Sequence, residues 1–545
     1  MRRIANKRWL IFLGLCVVLG VSWLIGWASV DTNQASAAHE AVTPLPSSAN
    51  PVPAVLPLRY FFPLVANSIP RYDWLQFGFN ARHDANNTLE KTITAANVGT
   101  LKKLFQVTLP AIADGAPVYL TNVATIISGT RDLVFVTTKQ GHIVALDAVT
   151  GVQIWSKQYG AAGCLINNGS TPCYTTSSPA IDPNRQYIYS YGLDGYVHRY
   201  AVGDGTEITT GGWPQLATLK RYDEKGSSAL SIATASNGNT FLYVSHGGYP
   251  GDAGNYQGHV TAINLTDGTQ KVFNTICSNQ TVHFVDSRIT SGPDCYPETQ
   301  TAIWARPGVI YDSDNDKIFM ATGNGTFNPS LHYWGDTVFA LNPDGSGASS
   351  NPLDTYTPIN YLQLQNNDTD IGSTAPAILP PSSGKYLHLG VQGGKDAVLR
   401  LINLDNLSGR GATGFTGGEV FSMTLSFGGE ILTQPTVWTN PSDNSTWVFV
   451  ADGSGIDGLQ LSIDGSGNPS LVSRWTNSNG TSPIIANGVL YYAHGGLIMA
   501  RNPTTGTLLW SSNLIGSIHW ESPIVANGIL YITDESGHLT AYNLP

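Results

Sequence analysis

Variants of one stretch, LVFVTTKQGHIVALDAVTGVQIW at residues 133–155, recur down to the last residue of the chain, and a repeat restricts the fold more than any composition does. LVFVTT is rich in β-branched and aromatic side chains, HIVALD follows a glycine turn as a second short strand, and a turn at Thr150–Gly151 releases VQIW. Short runs of this kind separated by tight turns read as antiparallel strands. The unit returns as GVLYYAHGGLIMARNPTTGTLLW (488–510) and GILYITDESGHLTAYNLP (528–545). A strand with a central proline precedes most copies: GAPVY (115–119), SSPAI (177–181), ARPGVI (305–310), TAPAI (374–378), TQPTV (433–437), TSPII (481–485) and ESPIV (521–525). ALSIA (229–233) fills that place in the remaining unit. This makes eight units, 40 residues apart where Pro483 and Pro523 mark the period and stretched by insertions in the middle. Four strands per unit at this period predict an all-β, eight-bladed propeller with four-stranded antiparallel blades around a channel.

The last unit ends at Pro545 without a counterpart of the GTLLW strand, which would leave an unpaired sheet edge. LKKLFQVTL (101–109) has the pattern to fill it. The ring is therefore expected to close by an N-terminal strand completing the C-terminal blade. The mouth of the channel is expected to be lined by the insertions at 160–176, 246–258, 274–302 and 323–335.

A chain of 545 residues with 58 glycines and 12% charged residues suits one large, turn-rich β-domain, expected over 72–545. The basic start MRRIANKRW is followed by the apolar LIFLGLCVVLGVSWLIGWASV (10–30) and the small-residue pattern ASA-A (35–38), so 1–37 reads as a signal peptide. The apolar run is also long enough to span a bilayer, and an uncleaved anchor in contact with the membrane is the alternative. Residues 38–71 are rich in proline and read as an extended spacer. Secretion or display at the cell envelope is the expected fate. The formal charge of −10 becomes more negative once the basic leader is lost, which argues against nucleic acid as a partner. In an oxidising compartment the simplest of three connectivities pairs Cys164 with Cys173 and Cys277 with Cys295; a metal site is the rival, although no CxxC spacing is present. The absence of CxxCH excludes a covalent c-type haem on this chain.

The unit ALDAVTGVQIW resembles the repeat of the pyrroloquinoline quinone (PQQ) family of propellers, a family that includes calcium- and quinone-dependent alcohol dehydrogenases and non-catalytic envelope scaffolds. The resemblance covers about residues 72 to 545, and DWLQFGFNARHDANNTLEKTITAANVGTLKKLF looks like the lead-in to the first blade. YDSDNDKIFMATGN (311–324) is similar to the strand whose terminal asparagine is a calcium ligand in the enzymes, which maps that role to Asn324; Asn-Gly is equally an ordinary hairpin turn. YPGDAGNYQGHVTAIN (249–264) looks like the segment supplying a glutamate ligand, but only Asp252 stands near that place. NNDTDIGSTAPAIL (366–379) resembles the segment with the catalytic aspartate, implying Asp370 or Asp368 as base, with Asp370 also available to the metal; a loop-capping role is the alternative. GGKDAVLRLIN (393–403) is similar to the strand whose lysine hydrogen-bonds the quinone, implying Lys395, and Asp114 falls where the enzymes have a cofactor-contacting glutamate. The stacking tryptophan of the enzymes maps to Arg306, with Trp304 two residues before it.

Two departures count against catalysis: no two cysteines adjoin, and the stacking position holds an arginine. HExxH, P-loop and GxSxG patterns are absent, so hydrolase and nucleotide readings have no anchor. Two functional classes stay open. One is an envelope or surface propeller, expected as a monomer, that binds a protein, polymer or small molecule. The other is a PQQ- and Ca²⁺-dependent oxidation of an alcohol or sugar.

Overall fold

The computed structural model describes residues 70–545 except 128, 161, 162, 168, 251, 253 and 479. The leader and almost all of the spacer lie outside the described residues. Eight blade sheets follow one another along the chain, each built on four antiparallel strands; the third gains Glu224–Gly226 and the seventh gains Asn86–Asn87 in parallel pairing, so these two have five. The first is Val118–Thr125, Gly129–Thr137, His142–Asp147 and Gln153–Gln158, the unit picked out by its sequence repeat. The seventh is Ile484–Ala486, Val489–His494, Leu497–Arg501 and Leu508–Ser512. In the eighth, Ile524–Ala526, Ile529–Thr533 and His538–Asn543 are joined by the N-terminal strand Lys102–Thr108, in antiparallel register from Lys102↔Asn543 to Thr108↔His538. The ring closes as its unpaired edge demanded.

Between blades, apolar side chains from both sheets share one core: Tyr119, Val134 and Val144 of the first blade pack in the same cluster as Tyr531, Leu539 and Ala541 of the eighth. The repeat tryptophan adds a lock. Trp155 donates its indole N–H to Val202 O of the next blade at 2.9 Å, beneath the turn glycine Gly205. Trp475 does the same to Pro503 O at 2.7 Å, beneath Gly506. Trp510 reaches Leu101 O at 3.1 Å, so the closing strand also receives this bond.

The stretch expected as a simple lead-in does something else: residues 74–87 cross one end of the channel. Its partners sit at one repeated place, two residues after the proline position of each inner strand. Trp74 exchanges backbone bonds with Tyr119, Leu75 O accepts from Ile181 N, and Gln76 bonds both backbone groups of Ile232. His83, fully buried, reaches Val309 O at 3.1 Å and Ser231 Oγ at 3.0 Å. Asp84 O, Ala85 O and the Asn87 amide continue to Val437, Ile485 and Val525. An inner strand has one edge facing the channel, and buried backbone groups there need partners. The crossing segment supplies them in seven blades and closes that end.

Two expectations about the loops need correction. Of 274–302 only Gln300 and Ala302 reach the mouth cavity, because the Cys277–Cys295 disulfide folds the rest back on itself. Of 323–335 only Asn324 does, since Phe327–Asn328 and Tyr333–Trp334 pair as a hairpin with Trp334 buried. Cys164 pairs with Cys173, as the simplest connectivity had it. A one-turn-plus helix, Tyr361–Asn367, which the strand pattern did not anticipate, ends at Asp368 in a left-handed conformation.

Candidate functional site

The opposite end of the channel, where the inner strands begin, opens into a cavity of about 820 Å³. Its wall follows the repeat. Asp114, Thr176, Trp304, Leu432 and Trp520 each stand three residues before the proline of their inner strand, Ser227 occupies that place in the proline-free unit, and all six line the cavity. One register thus sends the −3 residue to the cavity and the +2 residue to the crossing segment.

Every non-cysteine residue singled out from the sequence, namely Asp114, Asp252, Trp304, Arg306, Asn324, Asp368, Asp370 and Lys395, lines this cavity. At its centre Lys395 Nζ lies 2.7 Å from Asp370 Oδ2 and 2.9 Å from Asp368 Oδ1. The Trp304 indole N–H approaches Asp370 Oδ1 at 3.3 Å, and the Lys395 ammonium sits 5.1 Å from the centre of the Trp304 ring. Asp370 is buried whereas Asp368 is exposed, and this separates the two aspartates that the resemblance offered as base. Burial pushes the Asp370 carboxyl up and Lys395 pulls it back, leaving it at about 6, suited to accepting a proton near neutrality. Burial, reinforced by the Asp370 charge, also raises Asp336 behind it well above the ordinary carboxylate range.

Asn324 is not the hairpin turn that Asn-Gly suggests. Its backbone φ is not positive, whereas a type I′ turn requires that, and its amide N–H donates to Asp368 Oδ1 at 2.9 Å. Asn324 Oδ1 is buried with no partner. A buried carbonyl oxygen left unpaired is costly, and this one fits a hard cation. The other two candidate metal ligands are engaged, Asp252 by the Tyr256 hydroxyl at 2.6 Å and Asp370 by Lys395. The protein therefore offers Ca²⁺ the Asn324 oxygen outright and, through lone pairs left after these contacts, the Asp370 and Asp252 carboxylates, fewer oxygens than the six to eight the ion takes, so ligand or water would complete the set.

Across the cavity stands a second group of charges. Asp114 Oδ2 lies 3.2 Å from both Lys139 Nζ and His519 Nδ1, and Lys139 also pairs with Glu535 at 2.8 Å. Burial alone would raise the Asp114 carboxyl, but His519, Arg306 and Lys139 outweigh it and hold it at about 2. Asp114, His519 and Glu535 have metal-ligand spacing, but the Lys139 ammonium already serves them as counter-ion. Arg306 is buried and gives its N–H groups to the carbonyls of Asp114 at 2.5 Å and Thr176 at 3.4 Å, with Nε unpaired. Trp304, not Arg306, holds the repeat's cavity-facing position. Tyr174, Lys139, Lys225, Gln365, His519 and Trp520 line the cavity without having been singled out from the sequence. Ser227, Trp520 and the neighbouring Lys225 were within reach of the −3 register; Gln365 was not, because it sits on the unanticipated helix.

An eight-bladed propeller with an acid–lysine pair in a polar channel mouth defines a class, and similarity to known proteins narrows it. Residues 74–339 match the family model described as the beta-propeller domain of glucose/ethanol/alcohol dehydrogenase, and residues 416–544 match the one described as outer membrane protein assembly factor BamB. The chain belongs to the PQQ-like, quinoprotein alcohol dehydrogenase-like β-propeller repeat family. In fold it is similar to a quinohemoprotein alcohol dehydrogenase from Pseudomonas putida, with TM-score 0.60, 14% identity and coverage of 87% of this chain and 80% of that one. It is similar also to a europium-containing methanol dehydrogenase, with TM-score 0.59, 14% identity and coverage of 87% and 98%. A third such structure is the quinohemoprotein alcohol dehydrogenase of Comamonas testosteroni, with TM-score 0.57, 14% identity and coverage of 87% and 80%. No curated protein matches in sequence.

Proposed function

We propose that this chain is an extracytoplasmic quinone-dependent oxidoreductase that takes the hydroxyl proton of an alcohol or sugar onto Asp370. The observation that carries this reading is the buried Asp370 carboxylate, held between Lys395 and the Trp304 indole inside a cavity large enough for a planar cofactor and a small substrate. The orphaned Asn324 Oδ1 and the cations Lys395, Lys225 and Arg306 suit a carboxylated quinone with an associated cation. Lys395, Trp304, Arg306 and Asp114 would hold the quinone, and Asn324 with Asp370 the Ca²⁺. Bound there, PQQ supplies a two-electron acceptor for the substrate's hydride. Asp370 accepts the hydroxyl proton, Lys395 sets its pKa and offers positive charge beside it, and the crossing segment shuts the far end of the channel so that ligands enter from one side. The two disulfides suit an oxidising compartment.

The second reading, a binding propeller of the cell envelope, is favoured by the match of residues 416–544 and by the Arg306 and cysteine departures. One titration separates the two. A ligand at 100 times its dissociation constant stabilises a folded protein by about 2.7 kcal/mol. PQQ with saturating Ca²⁺ is therefore expected to raise the melting temperature measurably, less so in Asn324→Ala and Lys395→Ala. No shift in the wild type would remove the oxidoreductase and leave the binding propeller.

A further inference from the structure

Lys225 and Arg306 are cations of the cavity wall without a carboxylate partner. Lys225 precedes the inner strand of the third blade, half-buried, with its ammonium 4.9 Å from the centre of the Tyr174 ring. Arg306 precedes the inner strand of the fourth blade, buried, bonded only to two backbone carbonyls and with Nε unpaired. Neither forms an ion pair among the described residues, although the nearby Lys139 has two acidic partners. Withdrawing a charge from water without a counter-ion is costly, and an anionic ligand bound here would offset that cost. Tyr174 is fixed over the cavity by the loop that Cys164–Cys173 staples, so Lys225 has a built seat.

The charges facing Lys225 agree. Burial lowers its pKa to about 8; the Asp114 charge works against that, while the Arg306 and Lys139 charges add to it. Asp114 is committed to Lys139 and His519, and Glu521, the other acid acting on Arg306, is pushed to about 8 by burial and so is largely uncharged at neutrality. This side of the cavity is electropositive, and the Asp252–Asp368–Asp370 side is acidic.

We propose that Lys225 and Arg306 form an anion subsite that takes a carboxylate of the cavity ligand, between Tyr174 on one side and the Trp304 side of the cavity on the other. The carboxylate belongs either to a carboxylated quinone, in which case the subsite rests on the reading above, or to an acidic hydroxy substrate. Three probes separate these sources on the full exported chain: benzene-1,3,5-tricarboxylate, D-gluconate and PQQ, each titrated calorimetrically at pH 7. At least one is expected to bind, with affinity lost about ten-fold or more in Lys225→Met. Wild-type binding is expected to weaken as pH rises through about 8, whereas Lys225→Arg, which stays charged, keeps its affinity beyond that point. Circular dichroism checks that both variants are folded. Binding of a simple carboxylate but not PQQ supports the subsite and removes the quinone. PQQ binding equally well to wild type and Lys225→Met, with the same pH profile, overturns the subsite and leaves the quinone reading standing. Failure of all three probes to bind overturns it too.

Discussion

Lys395 Nζ lies 2.7 Å from Asp370 Oδ2, and this one contact decides when Asp370 can act as a base. Burial raises the Asp370 carboxyl and the ammonium lowers it, to about 6. Dye-linked oxidation with bound PQQ should therefore rise as pH increases through about 6, and Lys395→Met should move that limb to higher pH, because the lowering influence is lost. Asp370→Asn should cut the rate about 10²–10⁴-fold while PQQ stays bound. A pH–rate profile unchanged in Lys395→Met would falsify the assignment.

Stability should respond to pH against the usual carboxylate trend. Asp370 at about 6 and Glu521 at about 8 are both raised by burial, so between their unfolded and folded values the native state holds the extra proton. Where the folded protein binds more protons, stability falls as pH rises. The ligand-free melting temperature should thus decline between about pH 6.5 and 8, above the range in which the buried His83, His246 and His283, all lowered by burial, act with the opposite sign, and Glu521→Gln should flatten that decline. Lys225, lowered to about 8, acts oppositely: its folded form sheds the proton first, so stability recovers between about pH 8 and 9, before the buried tyrosines Tyr191, Tyr243 and Tyr531, raised by burial, turn the trend down again. Melting curves across this range, with and without Glu521→Gln, check the signs.

Ring closure and channel crossing can be separated by where the chain starts. A chain beginning at residue 100 keeps Lys102–Thr108 but lacks the crossing segment; it should fold with a lowered melting temperature. One beginning at residue 112 also exposes the edge of His538–Asn543 and should associate through it. Size-exclusion chromatography and limited proteolysis distinguish these outcomes, and a stable monomer from the shorter chain would contradict the closure mechanism.

The tryptophan lock is tested from both sides. Trp155 is buried and bonded to Val202 O, so Trp155→Ala should cost about 3–5 kcal/mol. Gly205 has φ +67° and a Cβ there would stand 2.6 Å from the Trp155 ring, so Gly205→Ala should cost about 1–3 kcal/mol through strain and overlap together. Denaturant midpoints of the two variants and their double mutant should be non-additive, because the residues touch.

The number of blades and the closing strand were determined by the sequence alone, because strand alternation, turn glycines and the missing last strand act over a few residues, whereas the pairing of the four cysteines stayed one of three connectivities until the fold decided it. Asp370 and Lys395 were found the same way, each carried by a short resemblance at a blade edge. Tertiary structure decided the rest. Asp368 and Asp370 were both offered as the base by the sequence, with Asp370 preferred, and the helix Tyr361–Asn367 ends so that one is turned outward and the other buried. Residues 74–87 read as a lead-in, yet their partners lie in seven blades separated by up to several hundred positions, and no local pattern encodes such an address. The unpaired state of Lys225 and Arg306 was likewise invisible. Whether a cation has a partner depends on which of eight distant strand beginnings face it, and that is fixed only when the ring closes.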